Sequence, residues 1–303
     1  MKPPIVALVV LNWNRADLTT QCLSSVKNVP YENKRILLVD NGSTEKASTS
    51  LRMKDVEYLR SEENLGFSRG MNLGIKWATS IGAEFVICLN NDVVVEPSFL
   101  TELLSVFDSH PDAAAASPLV MQAGVSDRVL SLGRRIHLSI GLSYSNYMGS
   151  RQRQLPTEPI RTLVLDGCCM MFKTDVLGKL GAFDARFQAT EDVEISLRLA
   201  KSGFSLYVNP KAVVWHVGSA SKGGRISAFD AYFVGVNWPR INEAYGSTVD
   251  HILFWPFFIG LHVSLWSSVW VLTGRFSNLA WFLKGIRMSG QESSLETWST
   301  LVR

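Results

Sequence analysis

The chain has 303 residues, enough for one large domain or two small ones, with 47% hydrophobic and 19% charged residues. That composition excludes a disordered chain, and a net charge of +3 is too small to argue for nucleic acid as a partner. The four cysteines, Cys22, Cys88, Cys168 and Cys169, lack metal-ligand spacing; three of them sit in apolar stretches and read as buried free thiols, which points to a reducing compartment such as the cytoplasm.

"IVALVVL" reads as a first strand, not a signal peptide, because Trp13 and Asn14 break the apolar run and no small-residue cleavage site follows. A helix is expected through "ADLTTQCLSSVKN", a second strand at "RILLVD" and a short third at "VEYLR". "GFSRGMNLGIKWATSIG" has helical spacing, with Phe67, Met71, Ile75 and Ala78 on one face. "EFVICL" is a fourth strand, and "PSFLTELLSVFDSH" a helix with Pro97 in its first turn. Apolar strands alternating with helices predict an α/β fold: a mostly parallel central sheet with helices on both faces. Ligands of such sheets sit at the carboxyl ends of the strands.

From about residue 119 to 160 the periodicity fades, which predicts a long binding excursion with a hairpin. "RTLVLDGCCMMFK" is a strand interrupted at Asp166-Gly167, and "EDVEISLRLAKSG" a helix ending at Gly203. Val193, Ile195, Leu197 and Leu199 do not form a clean stripe, so cover on both faces of that helix is expected. "FSLYVNPKAVVWH" reads as two short strands, and "ISAFDAYFVGVNWPRINEAYG" as an amphipathic helix up to Trp238-Pro239. Next, "ILFWPFFIGLHVSLWSSVWVLTG" is apolar or weakly polar for roughly 22 residues, about the length that spans a bilayer. No charge occurs in it before Arg275, Lys284 and Arg287 follow, and Trp stands at both ends. This combination predicts a helix in or on a membrane; a core helix or a homodimer face is the alternative. The expected domains are residues 1–245, divided near 118/119, and a C-terminal helical segment, 246–303.

Polar residues cluster where strands end. Asn12 and Asn14 follow the first strand, Asp40 and Asn41 the second, and Asn90, Asn91 and Asp92 the fourth. Any one cluster could be a turn; three at one sheet edge predict a site. Neither GxGxxG nor GxxxxGK[ST] follows the first strand, which argues against a standard dinucleotide or P-loop site. Asp40 could accept from a nucleobase N–H or a ribose hydroxyl. Asp92 could hold Mg²⁺ or Mn²⁺, which take oxygen ligands and share them with substrate phosphates. Asn90 and Asn91 could orient a sugar or close the turn. Glu191 and Asp192 open a helix, where acids serve as caps or, facing a cleft, as a general base. His216 precedes a Gly/Ser-rich basic loop. Amides at Gly218, Gly223 and Gly224, with Lys222 and Arg225, could wrap a diphosphate, His216 completing a metal shell or touching phosphate.

Taken together, "VVLNWN", "LLVDNGSTE", "ENLGFSRGMNLGI", "LNNDVVVEP", "DGCCMMFKTDVLGKLGAFDARF", "EDVEISLRL" and "VVWHVGSAS", in that order, resemble the family 2 glycosyltransferases with the GT-A fold. The similarity covers roughly residues 5–245 and is greatest to the bacterial rhamnosyltransferase-like subgroup. It implies that Asn12 borders the nucleotide pocket, that Asp40 bonds the base, and that Asn64, Gly66, Arg69 and Asn72 support base and ribose. Asn91 and Asp92 would occupy the metal and sugar-diphosphate position, with His216 reaching metal or diphosphate. Asp192 would be the catalytic base, Glu191 second to it, and Asp166, Gly167 and Cys168 would lie near the acceptor. The family often has Asp where this chain has Asn90, so metal binding would rest on Asp92 and His216.

The resemblance implies an inverting, metal-dependent transfer from a dTDP- or UDP-sugar, dTDP-L-rhamnose foremost, to a glycan or polyprenyl-linked acceptor in surface-polysaccharide synthesis. With the apolar C-terminal segment, it implies work at the cytoplasmic face of the inner membrane. A nucleotidyltransferase on a related sheet would need a Gly-rich basic loop that "LNWNRADL" lacks. A non-catalytic sugar-binding or assembly subunit is favoured by Asn90 alone.

Overall fold

The computed structural model describes residues 2–44, 51–125, 127–145, 147–218 and 227–290. The chain forms two compact units. The first comprises Met1–Arg135, Ser145–Ala185 and Glu191–Gly218; the second takes Ile136–Tyr144, Arg186–Thr190 and the chain after Gly218. The division thus differs from the one expected at residue 245, because the helix before that point packs with the C-terminal segment.

The strands are β1 (Val6–Asn12), β2 (Lys34–Asn41), β3 (Glu57–Ser61), β4 (Phe85–Asn90), β5 (Val93–Val95), β6 (Ala113–Gln122), β7 (Val129–Ser131), β8 (Arg135–His137), β9 (Leu142–Tyr144), β10 (Ile160–Thr162), β11 (Cys169–Lys173) and β12 (Ser205–His216). The helices of the first unit are α1 (Ala16–Lys27), α2 (Gly66–Ser80), α3 (Phe99–Ser109), α4 (Thr174–Leu180) and α5 (Glu191–Lys201). In the main sheet the order is β10-β12-β6-β11-β4-β1-β2-β3, with β5 on β12 and β7 on β6. From β4 through β1 and β2 to β3 the pairs are parallel, as expected. Beyond β4 the sheet is mixed: β11 runs antiparallel between β4 and β6, while β12 is parallel to β6.

Alternation along β1 shows why both faces carry helices. Val6, Leu8 and Val10 join one core with Leu23 and Val26 of α1 and Phe99 and Leu103 of α3. Ala7 and Val9 join the other with Met71 and Ile75 of α2, Leu177 of α4 and Leu199 of α5. Each such Val or Leu, fully buried, contributes about 1.5–3 kcal/mol. α5 is covered nearly all round, with even Glu194 buried against Arg198 at 2.9 Å. All four cysteines are buried and free.

Several elements depart from expectation. "AAAASPLVMQ" forms the ten-residue β6, which its alanines, weak strand formers, concealed. "RTLVLDGCCMMFK" yields two strands at separate places in the sheet, β10 on β12 and β11 between β4 and β6. "FSLYVNPKAVVWH" is one strand, β12, whose register slips between Asn209 and Val213, where Pro210 cannot donate. α3 starts after Pro97, with Ser98 at its N-cap.

The second unit holds the hairpin β8–β9 and three helices: α6 (Ala228–Tyr245), α7 (Thr248–Leu272, with a π turn at Phe258–Val263) and α8 (Phe276–Met288). α6 does not stop at Trp238-Pro239. Bonds on both sides of the proline keep its halves in line: Asn237 Nδ2 donates to Gln188 O at 2.6 Å and Arg240 Nε to Ser289 O at 2.9 Å. α6 and α8 cross at glycines; a Cβ on Gly235 would sit 2.5 Å from Phe282 O, and one on Gly285 2.3 Å from Tyr232 O. α7 buries a narrow stripe, Phe254, Phe258, His262 and Trp270, against α8 and the hairpin turn, where His262 Nε2 lies 2.8 Å from Ile140 O.

Candidate active site

All three polar clusters lie at one edge of the first unit's sheet. Parallel β1, β2 and β4 bring Asn12, Asp40 and Asn90 there in register, Asn12 beside Asp40. Because β11 is antiparallel to β4, its start, preceded by Asp166 and Gly167, reaches the same edge; the Asn90 N–H donates to Cys168 O at 2.9 Å.

Asn12 is fully buried. Its Nδ2 donates to Ser43 Oγ at 2.9 Å, and its Oδ1 accepts from Thr19 Oγ1 at 2.7 Å and Asn91 Nδ2 at 3.2 Å. Asp40 has no exposed surface and accepts from Tyr58 OH at 2.7 Å, Arg60 Nη1 at 3.2 Å and the Ser43 N–H at 3.1 Å. The carboxylate expected to meet a base is thus turned inward and organises the rim. Asn14 adopts φ 57, donates its N–H to Ser43 Oγ and accepts from the Thr44 N–H. Asn41 and Asn64 bond each other at 3.0 Å and fasten the turn before α2, with Leu65 N–H on Asn41 and Gly66 N–H on Asn64. Asn72 clasps the backbone of Phe183, a structural role, while Arg69 is exposed on α2.

The polar run after β4 marks a change of partner strand. β4 ends at Asn90, the chain turns at Asn91 and Asp92, and β5 pairs with the end of β12, Val93 opposite His216. That pairing sets Asp92 Oδ1 3.1 Å from His216 Nε2, with side chains 22% and 18% exposed. Burial would raise the Asp92 carboxyl, but the His216 contact prevails and holds it below the ordinary carboxylate value. Burial likewise would lower His216, yet Asp92 holds it above its ordinary value. Asn91 fixes its amide nitrogen on Thr19 and Asn12. One carboxylate and one imidazole stand together here, ligand types that could hold Mn²⁺ or, through the carboxylate, Mg²⁺. Among the described residues no three His, Cys, Asp or Glu side chains gather as a cation site. Lys222 and Arg225, with Gly223 and Gly224, lie outside the described residues.

Asp192 opens α5. Its Oδ2 accepts from Arg134 Nη2 and from the Gly167 N–H at 3.2 Å, and its Oδ1 from the Val193 N–H at 2.8 Å. Burial raises this carboxyl above the ordinary value; Arg134 opposes that and Asp166 adds to it. Asp166 also acts electrostatically on His216 and Arg134, so these charges form one connected group. Burial, then Asp166, keeps the Cys168 thiol protonated, which leaves it no nucleophilic role. Glu191 precedes Asp192 at the helix start.

Thr19, Ser43, Tyr58, Arg60 and Arg134 belong to this edge without having been expected. Arg60 had a signal: it stands directly across from Asp40 in the parallel pair. Arg134 had none, because its partner lies 58 residues away and it sits in the irregular excursion.

A family model described as Glycosyl transferase family 2 matches residues 7–181. Poly-beta-1,6-N-acetyl-D-glucosamine synthase of Staphylococcus epidermidis is 23% identical, over 72% of this chain and 51% of its own length. The chain thus spans about half of that relative. N-acetylglucosaminyl-diphospho-decaprenol L-rhamnosyltransferase of Mycobacterium tuberculosis is 28% identical, over 72% of this chain and 78% of its own. The crystal structure of GalNAc-T7 with UDP, GalNAc and Mn²⁺ shares the fold, with TM-score 0.62 at 17% identity, over 84% of this chain and 50% of that one.

Proposed function

Because this chain belongs to glycosyl transferase family 2 and has the GT-A fold, we propose that it transfers a sugar with inversion from a nucleotide diphosphate donor to a glycan or polyprenyl-linked acceptor in surface-polysaccharide synthesis. The observation that carries the reading is one sheet edge holding both the Asp92–His216 pair and the Arg134-held Asp192. L-Rhamnose from dTDP-rhamnose is the lead donor, supported by the name of the mycobacterial relative; a UDP-hexose is the alternative.

Asp92 and His216 receive the diphosphate end of the donor. A divalent cation, when bound, neutralises charge on the departing nucleoside diphosphate, and Lys222 and Arg225 are assigned the same task. Asp192, raised by burial, takes the proton of the acceptor hydroxyl. Attack opposite the leaving group inverts the anomeric carbon in a single displacement. The base meets the rim that Asp40, Arg60 and Tyr58 order. Gly167 lies against Asp192, which supports the acceptor side there.

We place the protein at the cytoplasmic face of the inner membrane, on the second unit's chemistry. α7 is long and apolar enough to cross a membrane by length and composition, and only 17% of its apolar window is buried. Ile252, Ile259, Leu265 and Leu272 are each more than half exposed, and Lys284 of α8 stacks 4.4 Å over Trp281, a pairing suited to a lipid headgroup region.

Isothermal titration with UDP and dTDP, each with Mn²⁺ and with EDTA, tests the donor site in wild type and Asp92→Ala. Metal-dependent binding that falls at least about tenfold in the variant is expected. Binding indifferent to EDTA would remove the cation from the reading; binding of neither nucleotide would sink the proposed donors.

A further inference from the structure

We propose that Arg134 is a positioning residue for the base: its guanidinium holds the Asp192 carboxylate beside Gly167 and keeps it in its proton-accepting form. The inference rests on the reading of Asp192 as the base.

The arginine is mounted rigidly. Its N–H donates to Val164 O at 2.9 Å, the Val164 N–H returns to Arg134 O at 3.2 Å, and Thr162 Oγ1 donates to the same carbonyl at 3.1 Å. Gly133 before it has φ +72, and a Cβ there would stand 2.6 Å from Thr162 Oγ1 and 2.9 Å from Val208 Cγ2. The next residues tie that segment to the helix of the base: the Leu165 N–H donates to Ser196 Oγ of α5 at 3.1 Å. Arginine and carboxylate therefore hang from one braced frame, the arrangement that keeps a reacting group within a narrow range of geometry.

The chemistry fits this role better than packing does. Arg134 Nη2 donates to the Asp192 carboxylate and lies 3.5 Å from Leu165 O, so the charged head of the side chain, and not only its stem, is engaged at this point. The charged groups acting on Asp192 are Arg134 and Asp166; on its own helix Glu191 adjoins it and Glu194 is engaged by Arg198. Without the guanidinium, burial and the Asp166 charge would still raise the Asp192 carboxyl, and the positive charge that opposes them would be gone. A base that already holds a proton cannot accept another.

The test uses Arg134→Gln, Arg134→Met and Arg134→Lys in the full chain, with Asp192→Asn as reference. Two readouts are needed. Carboxyl ¹³C NMR follows the titration of Asp192 directly, without substrate. The pH profile of kcat follows nucleoside diphosphate release from dTDP-rhamnose or UDP-N-acetylglucosamine, whichever the wild type consumes. Removing the positive charge should move the Asp192 titration and the acid limb of kcat upward by about one pH unit or more. Turnover at neutral pH should fall about 10- to 100-fold. Arg134→Lys should return both most of the way, and the nucleotide Kd should stay within about twofold in all three. An Asp192 titration unmoved in folded Gln or Met variants overturns the inference. Wild-type turnover in Asp192→Asn, with the titration still responsive to Arg134, would instead overturn Asp192 as the base and leave the coupling standing.

Discussion

At the scale of single residues, the site depends on side chains that meet from distant parts of the chain. Gly167 illustrates the tolerance. A Cβ there would lie 3.1 Å from both Cβ and Oδ2 of Asp192, so even alanine must push the carboxylate. Gly167→Ala should lower kcat about tenfold while leaving the titrated nucleotide Kd unchanged, since a small displacement of a reacting group is costly and the donor side is untouched. An equal loss in both would assign Gly167 to the donor. The positions of several candidate residues were legible: Asn12, Asn91, Asp92 and His216 stand at or just after strand ends, and Asp192 at a helix start, as the sequence pattern placed them. Asp40 ends β2 at this edge, but its polar atoms, like those of Asn72 on α2, are committed to neighbours, Tyr58 and Arg60 for the one and Phe183 for the other, which no linear pattern reveals. Arg134 was hidden because an ion pair across the sheet leaves no periodicity.

At the scale of elements, legibility followed the period of apolar residues. β1, β2, β4 and α1 to α3 carry strong patterns and emerged close to their expected bounds. β6, an alanine run, and the single β12, with Pro210 inside it, carry patterns that tertiary pairing overrides. The start of α6 had a usable signal: Ser227 and Asp230 form a capping box, as Ser247 and Asp250 do for α7. The α6–α8 crossing is the vulnerable contact of the second unit. Gly285→Leu would drive a side chain into the Tyr232 carbonyl and should cost about 3 kcal/mol or more, read as a lower denaturant midpoint for the C-terminal helices. A midpoint equal to wild type would mean that these helices do not cross as described.

At the scale of the whole molecule, two units differ in what they show to solvent. The first buries its apolar residues in two cores, one on each sheet face. The second leaves much of α7 bare. Vesicles of anionic lipid should sediment the wild-type protein, and Leu265→Glu with Leu272→Glu should weaken that association at least tenfold. Loss of self-association instead, with no vesicle binding in the wild type, would identify the face as a contact between copies. The sequence pattern announced this helix; which side of it is covered depended on Phe254, Phe258, His262 and Trp270 finding the hairpin turn and α8.

The crossing of the chain from β4 to β12 by way of β5 also has a consequence in time. During synthesis Asp92 leaves the ribosome early, while its partner arrives only when the last strand of the sheet has been made. A nascent chain halted before Ser205 owns every Asn and Asp of the first strand ends yet lacks the imidazole opposite Asp92. Because pairings between distant segments wait on the later strand, the Asp92–His216 contact is completed only after the rest of the edge has been made.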